Sequence, residues 1–420
     1  MNTRHRPLAV RRLLLASVLA PLALATSPAR AQNYRELAIG GRTATMGGAG
    51  TAAGNDSAMP YLNPAGLAGV PGDIFAVSAT IYSYTRRSFS NYFFPNGTPA
   101  GLGVTPDTED FSTSSIGELP SSVMYFRHLS DPKAEVQHHA GVSLVIPSAR
   151  NVDVVASFAG RITAAAGTFL QSSTISAQYR NYYIGPTYAV AVGPDLRLGF
   201  SLYGLYQRGS STISGSRSTT LLGGSFTLAS ERGTSYLAEA FSLAPIFGAQ
   251  ARLVSDLWVG LGVAAPTVPI TGRVRNTVLA SGVDVDRTTF VPNATGTTST
   301  LDGSFEAGMP LRMNAGVAWQ RPSGLSAAAD LHLYLGHTDT ESKGVERVEE
   351  RRGGDLTRQF GRAVDVQTRA EPVVDVSFGA EYAFTKIIAA RAGFFTDLAA
   401  TPELTSREGD ARRLRLNRFG

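Results

Sequence analysis

The stretch YAVAVGPDLRLGFSLYGLYQRG, Tyr188 to Gly209, decides the fold. After the tight corner Gly193-Pro194-Asp195 the chain alternates with period two. Leu196, Leu198, Phe200, Leu202 and Tyr206 fall on one side. Arg197, Ser201 and Gln207 share the other with Gly199, Tyr203 and Leu205. Such alternation predicts a strand with one apolar and one mixed face. The corner before it is very short, and the connection after it is long, from Gly209 to Ser235.

The same pattern recurs on both sides of this stretch. Val259, Leu261 and Val263 alternate with little more than glycine. Leu311, Met313, Val317 and Trp319 oppose Arg312, Asn314 and Gln320. Leu325, Leu331, Leu333 and Leu335 oppose Asp330, His332 and Tyr334. Val374, Val376, Phe378, Tyr382 and Phe384 oppose Asp375 and Glu381, and Ile388 and Phe394 oppose Arg391. Strand-like runs fall near 74–85, 121–130, 138–147, 172–192, 195–208, 235–253, 257–275, 304–320, 324–337, 365–384 and 387–396, and another begins at RRLRLNRFG. Between them, short connections (SDPKAE, GPD, VSD, RPSG and a turn near Lys386) alternate with long ones, about 86–118, 148–171, 209–235, 276–303 and 338–362. Outer-membrane barrels have short turns on one side and long loops on the other. A soluble sandwich has no reason to place every second loop at such length. The fold class is therefore all-β, an antiparallel transmembrane β-barrel over residues 73–420.

The N-terminus sets the compartment. Arg4, Arg6, Arg11 and Arg12 precede the apolar run LLLASVLAPLALA, too short to span a bilayer, and Ala29-Arg30-Ala31 is a signal-peptidase type of triplet. Residues 1–31 read as a cleavable signal peptide, which sends the chain to the cell outer membrane. The segment carries five arginines and no acidic residue, so the formal charge of +5 falls to zero in the mature chain. The high isoelectric point is then no argument for nucleic acid, and none is expected as a partner. Cysteine is absent, which excludes disulfides and thiolate metal sites. His138 and His139 are adjacent and so point to opposite faces of a strand, and no metal or other cofactor is expected. None of the six histidines sits in a recognisable nucleophile motif, so the chain does not read as an enzyme.

Residues 32–72 fit neither strand nor tail. GGRTATMGGAGTAAGNDS, followed by AMPYLNPAGLAGV, is too apolar and glycine-rich to dangle in water. This stretch resembles the N-terminal hatch of the FadL-type outer-membrane transporters of long-chain fatty acids and aromatic hydrocarbons. The resemblance rests on the Ala/Gly run, on Asp56 followed by Ser57 and Ala58, and on Asn63-Pro64-Ala65. AGVSLVIPS, PLRMNAGVAWQRPSGLSAAADLHLY and EYAFTKIIAARAGFFTD are similar to family strands.

The resemblance implies a fourteen-stranded barrel plugged by the hatch. Ligand would be captured at an outer apolar groove and released sideways, through hatch movement and a kink in the third strand. Partners would be hydrophobic small molecules, outer-membrane lipid and the barrel assembly machinery, with the protein a monomer. A FadL-like barrel acting as an anchor or shuttle in protein secretion is the alternative. Because the runs stop short of the family count, the chain is expected to be a C-terminally incomplete barrel with an open seam, a closed twelve-stranded barrel being the runner-up.

Candidate residues follow. Asp56, Asn63, Pro64 and Ala65 form the hatch motif, with a turn-shaping role for Asn63 and Pro64 the plainer reading. Tyr34, Leu37 and Ile39 lie near the mature N-terminus, where the resemblance puts contacts to ligand. The stretch Asn151 to Leu170 is apolar for an outer loop, making Val154, Val155, Phe158, Ile162 and Phe169 candidates for the entry groove. Alternation turns Arg197, Arg312, Asp330, His332, Asp375, Glu381 and Arg391 inward, where a salt-bridge lattice is expected, with Arg312 meeting Asp330, and Asp375 and Glu381 meeting Arg391.

Overall fold

The computed structural model describes residues 34, 39–70, 72–89, 111–131, 133–162, 167–221, 226–285, 292–352, 355–385, 388–398, 400 and 418–419. The signal-peptide reading and Leu37 fall outside them. The strands are β1 (Ile74–Phe89), β2 (Phe111–His128), β3 (Val136–Ile162), β4 (Gly167–Val192), β5 (Leu196–Leu221), β6 (Phe226–Val254), β7 (Leu257–Ala264), β8 (Val268–Val285), β9 (Pro292–Glu306), β10 (Arg312–Gln320), β11 (Leu325–Tyr334), β12 (His337–Arg352), β13 (Asp355–Ala370), β14 (Val373–Ala383), β15 (Ala389–Asp397) and β16 (Arg418–Phe419). Among the described residues no helix is long and apolar enough to cross a membrane.

Every ladder is antiparallel, and one sheet runs β1-β2-β3-β4-β5-β6-β7-β10-β11-β14-β15-β16. β8 pairs with β6 and β9, and β12 with β9 and β13. β7 and β8 are thus one pass broken at 265–267, as are β9 and β10 at 307–311, β11 and β12 at 335–336, and β13 and β14 at 371–372. Among the described residues the sixteen strands therefore make twelve passes. The path ends at β1 and at β16, which pairs with β15 through Thr396↔Phe419.

Most passes are far longer than the 9–11 residues that cross a bilayer. β4 has 26 residues and β6 has 29. The long connections read from sequence at 148–171, 209–235, 276–303 and 338–362 are mostly ladder, because the hairpins continue as paired strands beyond the apolar band. Asn151 to Leu170 is corrected accordingly: β3 runs to Ile162, β4 starts at Gly167, and Val154↔Ile175 and Val155↔Thr174 are paired.

The two faces follow the alternation. On β5, Leu196, Leu198, Phe200, Leu202 and Tyr206 are exposed, while Ser201, Tyr203, Leu205 and Gln207 are buried. Leu325, Leu331, Val374, Tyr382 and Phe394 are likewise exposed, while Ser326, Asp330, His332, Tyr334 and Asp375 are buried. A continuous apolar outer face is stable against hydrocarbon rather than water.

Residues 39–70 lie on the inner face. They form α1 (Arg42–Thr45), α2 (Met59–Leu62) and a 3-10 helix (Pro64–Gly69). This short segment reaches strands spread along the whole sheet. Ser57 accepts from Ser122 Oγ on β2 (3.0 Å), Pro60 O from Ser201 Oγ on β5 (2.8 Å), and Gly50 N donates to Asp330 on β11 (2.8 Å). Gly47 packs against the backbone of Phe394 on β15. Only a sheet curled around the segment allows all four contacts.

Candidate functional site

The inner segment is poor in side chains, so its own backbone groups need partners from outside. Asp56 supplies the first. Its carboxylate accepts from Thr43 N (2.7 Å), Thr43 Oγ1 (2.8 Å) and Ala58 N (3.2 Å), tying α1 to the start of α2. Asn63 supplies the second and is fully buried. Its amide donates to Thr51 O (2.7 Å) and to Ala249 O of β6 (3.0 Å), and its Oδ1 accepts from Ala65 N (3.2 Å). Pro64 opens the 3-10 helix and rests on Gly199 and Gly248 of the wall. A Pro at this first position gives up an N–H that has no partner within the helix.

The wall's polar side chains complete the docking. Asp330 Oδ2 accepts from both Gly50 N and Thr51 N, at 2.8 Å each. Asn314 Nδ2 donates to Leu62 O (3.0 Å), and Gln250 Nε2 to Thr51 O (3.2 Å). Arg312 donates to Tyr61 O and holds its guanidinium 3.9 Å from the Tyr61 ring centroid. His332 bridges Asn314 Oδ1 (3.0 Å) and Ser377 Oγ (3.2 Å). Arg197 lies over Trp258, 4.3 Å from its centroid, and donates to Gln250 Oε1 (3.3 Å).

The expected salt-bridge lattice needs correction. Glu381 does pair with Arg391, directly opposite in the ladder, and also with Arg42 of the inner segment (3.1 Å). Arg312 and Asp330 stand at different heights. Arg312 opposes Tyr334, while Asp330 opposes Gly316, four positions further along β10, about 13 Å at strand rise. Asp375 accepts from Thr396 Oγ1 (3.0 Å) and Leu398 N (2.8 Å). Arg312, Asp330 and Asp375 thus satisfy backbone groups, whereas Glu381 and Arg391 pair with each other.

The candidate groove residues all fall on the β3–β4 hairpin. Val154 is 1% exposed and Val155 82%, on opposite faces of β3. Phe158, Ile162 and Phe169 lie on the β3–β4 ladder by backbone. Tyr34 stacks on Tyr334 (centroids 4.7 Å, 9° between planes), and its hydroxyl meets His337 Nδ1 at 3.1 Å. Ile39 joins the buried cluster formed by α2, the 3-10 helix and the wall. His138 and His139 do face apart: His138 meets Tyr188, while buried His139 stacks on His128. Among the described residues no group of three or more His, Asp or Glu side chains could hold a metal.

The sequence reading missed the wall glycines. A Cβ on Gly199, Gly248, Gly260, Gly262, Gly316, Gly379 or Gly393 would overlap a wall carboxylate or the segment itself, at Met46, Gly47, Thr51, Leu62, Asn63 or Pro64. The signal was present in VGLGV, where apolar residues alternate with glycine: a strand face without side chains leaves room for a backbone.

No family model matches the chain, and no curated protein matches it. Solved structures do. A Pseudomonas aeruginosa FadL homologue aligns with 13% identity over 88% of this chain and 82% of its own, with TM-score 0.53. The chain shares its fold with this FadL homologue. The Pseudomonas putida toluene transporter TodX aligns with 13% identity over 88% of this chain and 87% of its own, with TM-score 0.46.

Proposed function

We propose that the protein is an outer-membrane channel for the passive uptake of hydrophobic compounds such as long-chain fatty acids or hydrocarbons, with no catalytic role. Residues 32–72 act as a hatch, and ligand leaves sideways between β2 and β3. One observation carries this reading. The β2–β3 ladder ends at Ser122↔Val145, although both strands continue, β2 paired with β1 and β3 with β4. β3 shifts register between Val145 and Ser148, spanning Pro147, and Pro120 faces the same interruption on β2. Unpaired strand edges are not tolerated against lipid unless they line a cavity or a path. Ser57 of the inner segment bonds Ser122 at the last ladder position, so the segment stands where the wall parts.

A hydrophobic ligand gains from an apolar chamber and from an exit that avoids water. The aromatic residues Tyr61, Tyr183, Tyr203 and Tyr334 supply such an interior. The test is uptake of labelled oleate and labelled toluene by proteoliposomes, against protein-free liposomes. Uptake of either above the blank supports the channel. A barrel serving only protein secretion shows none.

A further inference from the structure

A second interruption of the wall lies several strands away. The β7–β10 ladder ends at Ala264↔Arg312, and β8–β9 begins only at Arg273↔Ser304. Beside it, β10–β11 ends at Arg312↔Tyr334, and β9–β12 starts at Thr340↔Glu306. With the break between β13 and β14 opposite 335–336, four adjacent passes are interrupted at one level. A cavity of about 340 Å³ occupies the break.

Its backbone groups are largely settled within the wall. Thr267 N donates to Met309 O (3.1 Å), Met309 N to Thr267 Oγ1 (2.8 Å), and Leu335 N to Leu311 O (3.0 Å). Pro266 and Pro310 line it and carry no N–H. What remains for an occupant is mixed: the prolines and leucines offer carbon, while Thr267, Glu306, His337 and Thr338 add polar side chains to the lining. The lining comes from both faces of the wall: Leu335 belongs to the outward set with Leu325 and Leu331, whereas His337 meets Tyr34 on the inner side. The cavity thus borders residues of both faces of the sheet.

Behind it, between Tyr61 of the inner segment and Tyr183 of the wall, is a space of only about 20 Å³. Thr267, Met309 and Pro310 border both spaces. The Met309 side chain points inward, its Sδ 4.0 Å from Gln207 Nε2, and packs between two buried clusters. A dry cavity of about 150 Å³ is enough for benzene, so the outer space takes a single ring and the inner one does not. Methionine, unbranched and with three rotatable bonds, can vacate such a constriction without moving the backbone.

We infer that this notch binds a single-ring aromatic or short alkyl hydrocarbon, and that Met309 closes it against the interior. The direction of traffic rests on the channel reading above; the binding does not. The probe is a single-ring aromatic bearing a diazirine, photolysed with the full-length protein in detergent, with labelled peptides located by mass spectrometry. Label should fall on 307–311 and 335–338 and be competed by excess toluene. In Met309→Ala it should extend to the peptides carrying Tyr61 and Tyr183. In Met309→Trp that inner label should be absent and toluene uptake by proteoliposomes should drop several-fold, with Met309→Leu near the parent. Heat-dependent gel mobility identifies the folded variants to be compared. Label that misses both peptides overturns the site even if the liposomes take up toluene. Competed label there without any uptake keeps the site and removes the channel reading. Equal uptake by the Trp and parent proteins overturns the closing role of Met309.

Discussion

Asn63 shows how tightly single residues are constrained here. Both its amide hydrogens go to Thr51 O and Ala249 O, and its Oδ1 accepts from Ala65 N, in a site without water access. Each buried partner left unsatisfied costs about 1–3 kcal/mol, so Asn63→Ala should detach the inner segment from β6. Gly248→Ala should do the same from the other side, because its new methyl group would occupy the position of Asn63 Oδ1. Gly233→Ala, on the same strand with nothing within 4 Å of the added carbon, is the control. Limited proteolysis at 39–70 should be accelerated in the first two variants and unchanged in the third. If Gly248→Ala is as resistant as the control, the close approach of segment and wall is not what holds the segment in place.

At the scale of elements, the inner segment is a separable part attached to the wall by an apolar cluster as well as by polar contacts. Deleting 32–71 should raise single-channel conductance in planar bilayers several-fold; unchanged conductance would show that the segment does not obstruct the lumen. The strands divide differently. Their lower portions were legible in sequence because one face is apolar and exposed and the other meets the segment, which enforces alternation from Leu196 to Gln207. Their outer portions were not legible. Stretches such as SSTISGSRSTT carry no alternation, since a ladder solvated on both faces needs none, and they read as loop although β5 continues to Leu221. Arg312, Asp330, His332 and Asp375 are buried, and of the expected pairs Glu381 with Arg391 is present while Arg312 with Asp330 is not. Period two gives the face of Arg312 and Asp330, whereas their heights depend on pairing register, which a single strand's sequence does not encode. The outer ladders should accordingly be dispensable for assembly. Joining Val152 to Ala177, which are paired, through a short turn removes the distal β3–β4 hairpin. The shortened protein should still show different gel mobility before and after boiling, and loss of that shift would place the hairpin within the folding core.

For the whole molecule, the question is whether passage requires the inner segment to move relative to the wall. The segment contacts β2, β5, β6, β11, β14 and β15, so any displacement large enough to open a path breaks several of these contacts together. The contact at β2 is the informative one, because Ser122 is the last residue paired with β3 before the wall parts. The Ser57 and Ser122 hydroxyl oxygens are 3.0 Å apart, close enough for a disulfide in Ser57→Cys/Ser122→Cys, and the parent chain contains no cysteine to interfere. Oxidised protein should be arrested in toluene and oleate uptake, with reductant restoring the parental rate in the same liposomes. Either single-cysteine variant should transport in both states. If the oxidised double variant transports at the reduced rate, the segment stays fixed at β2 during passage, and the path must run through another part of the wall.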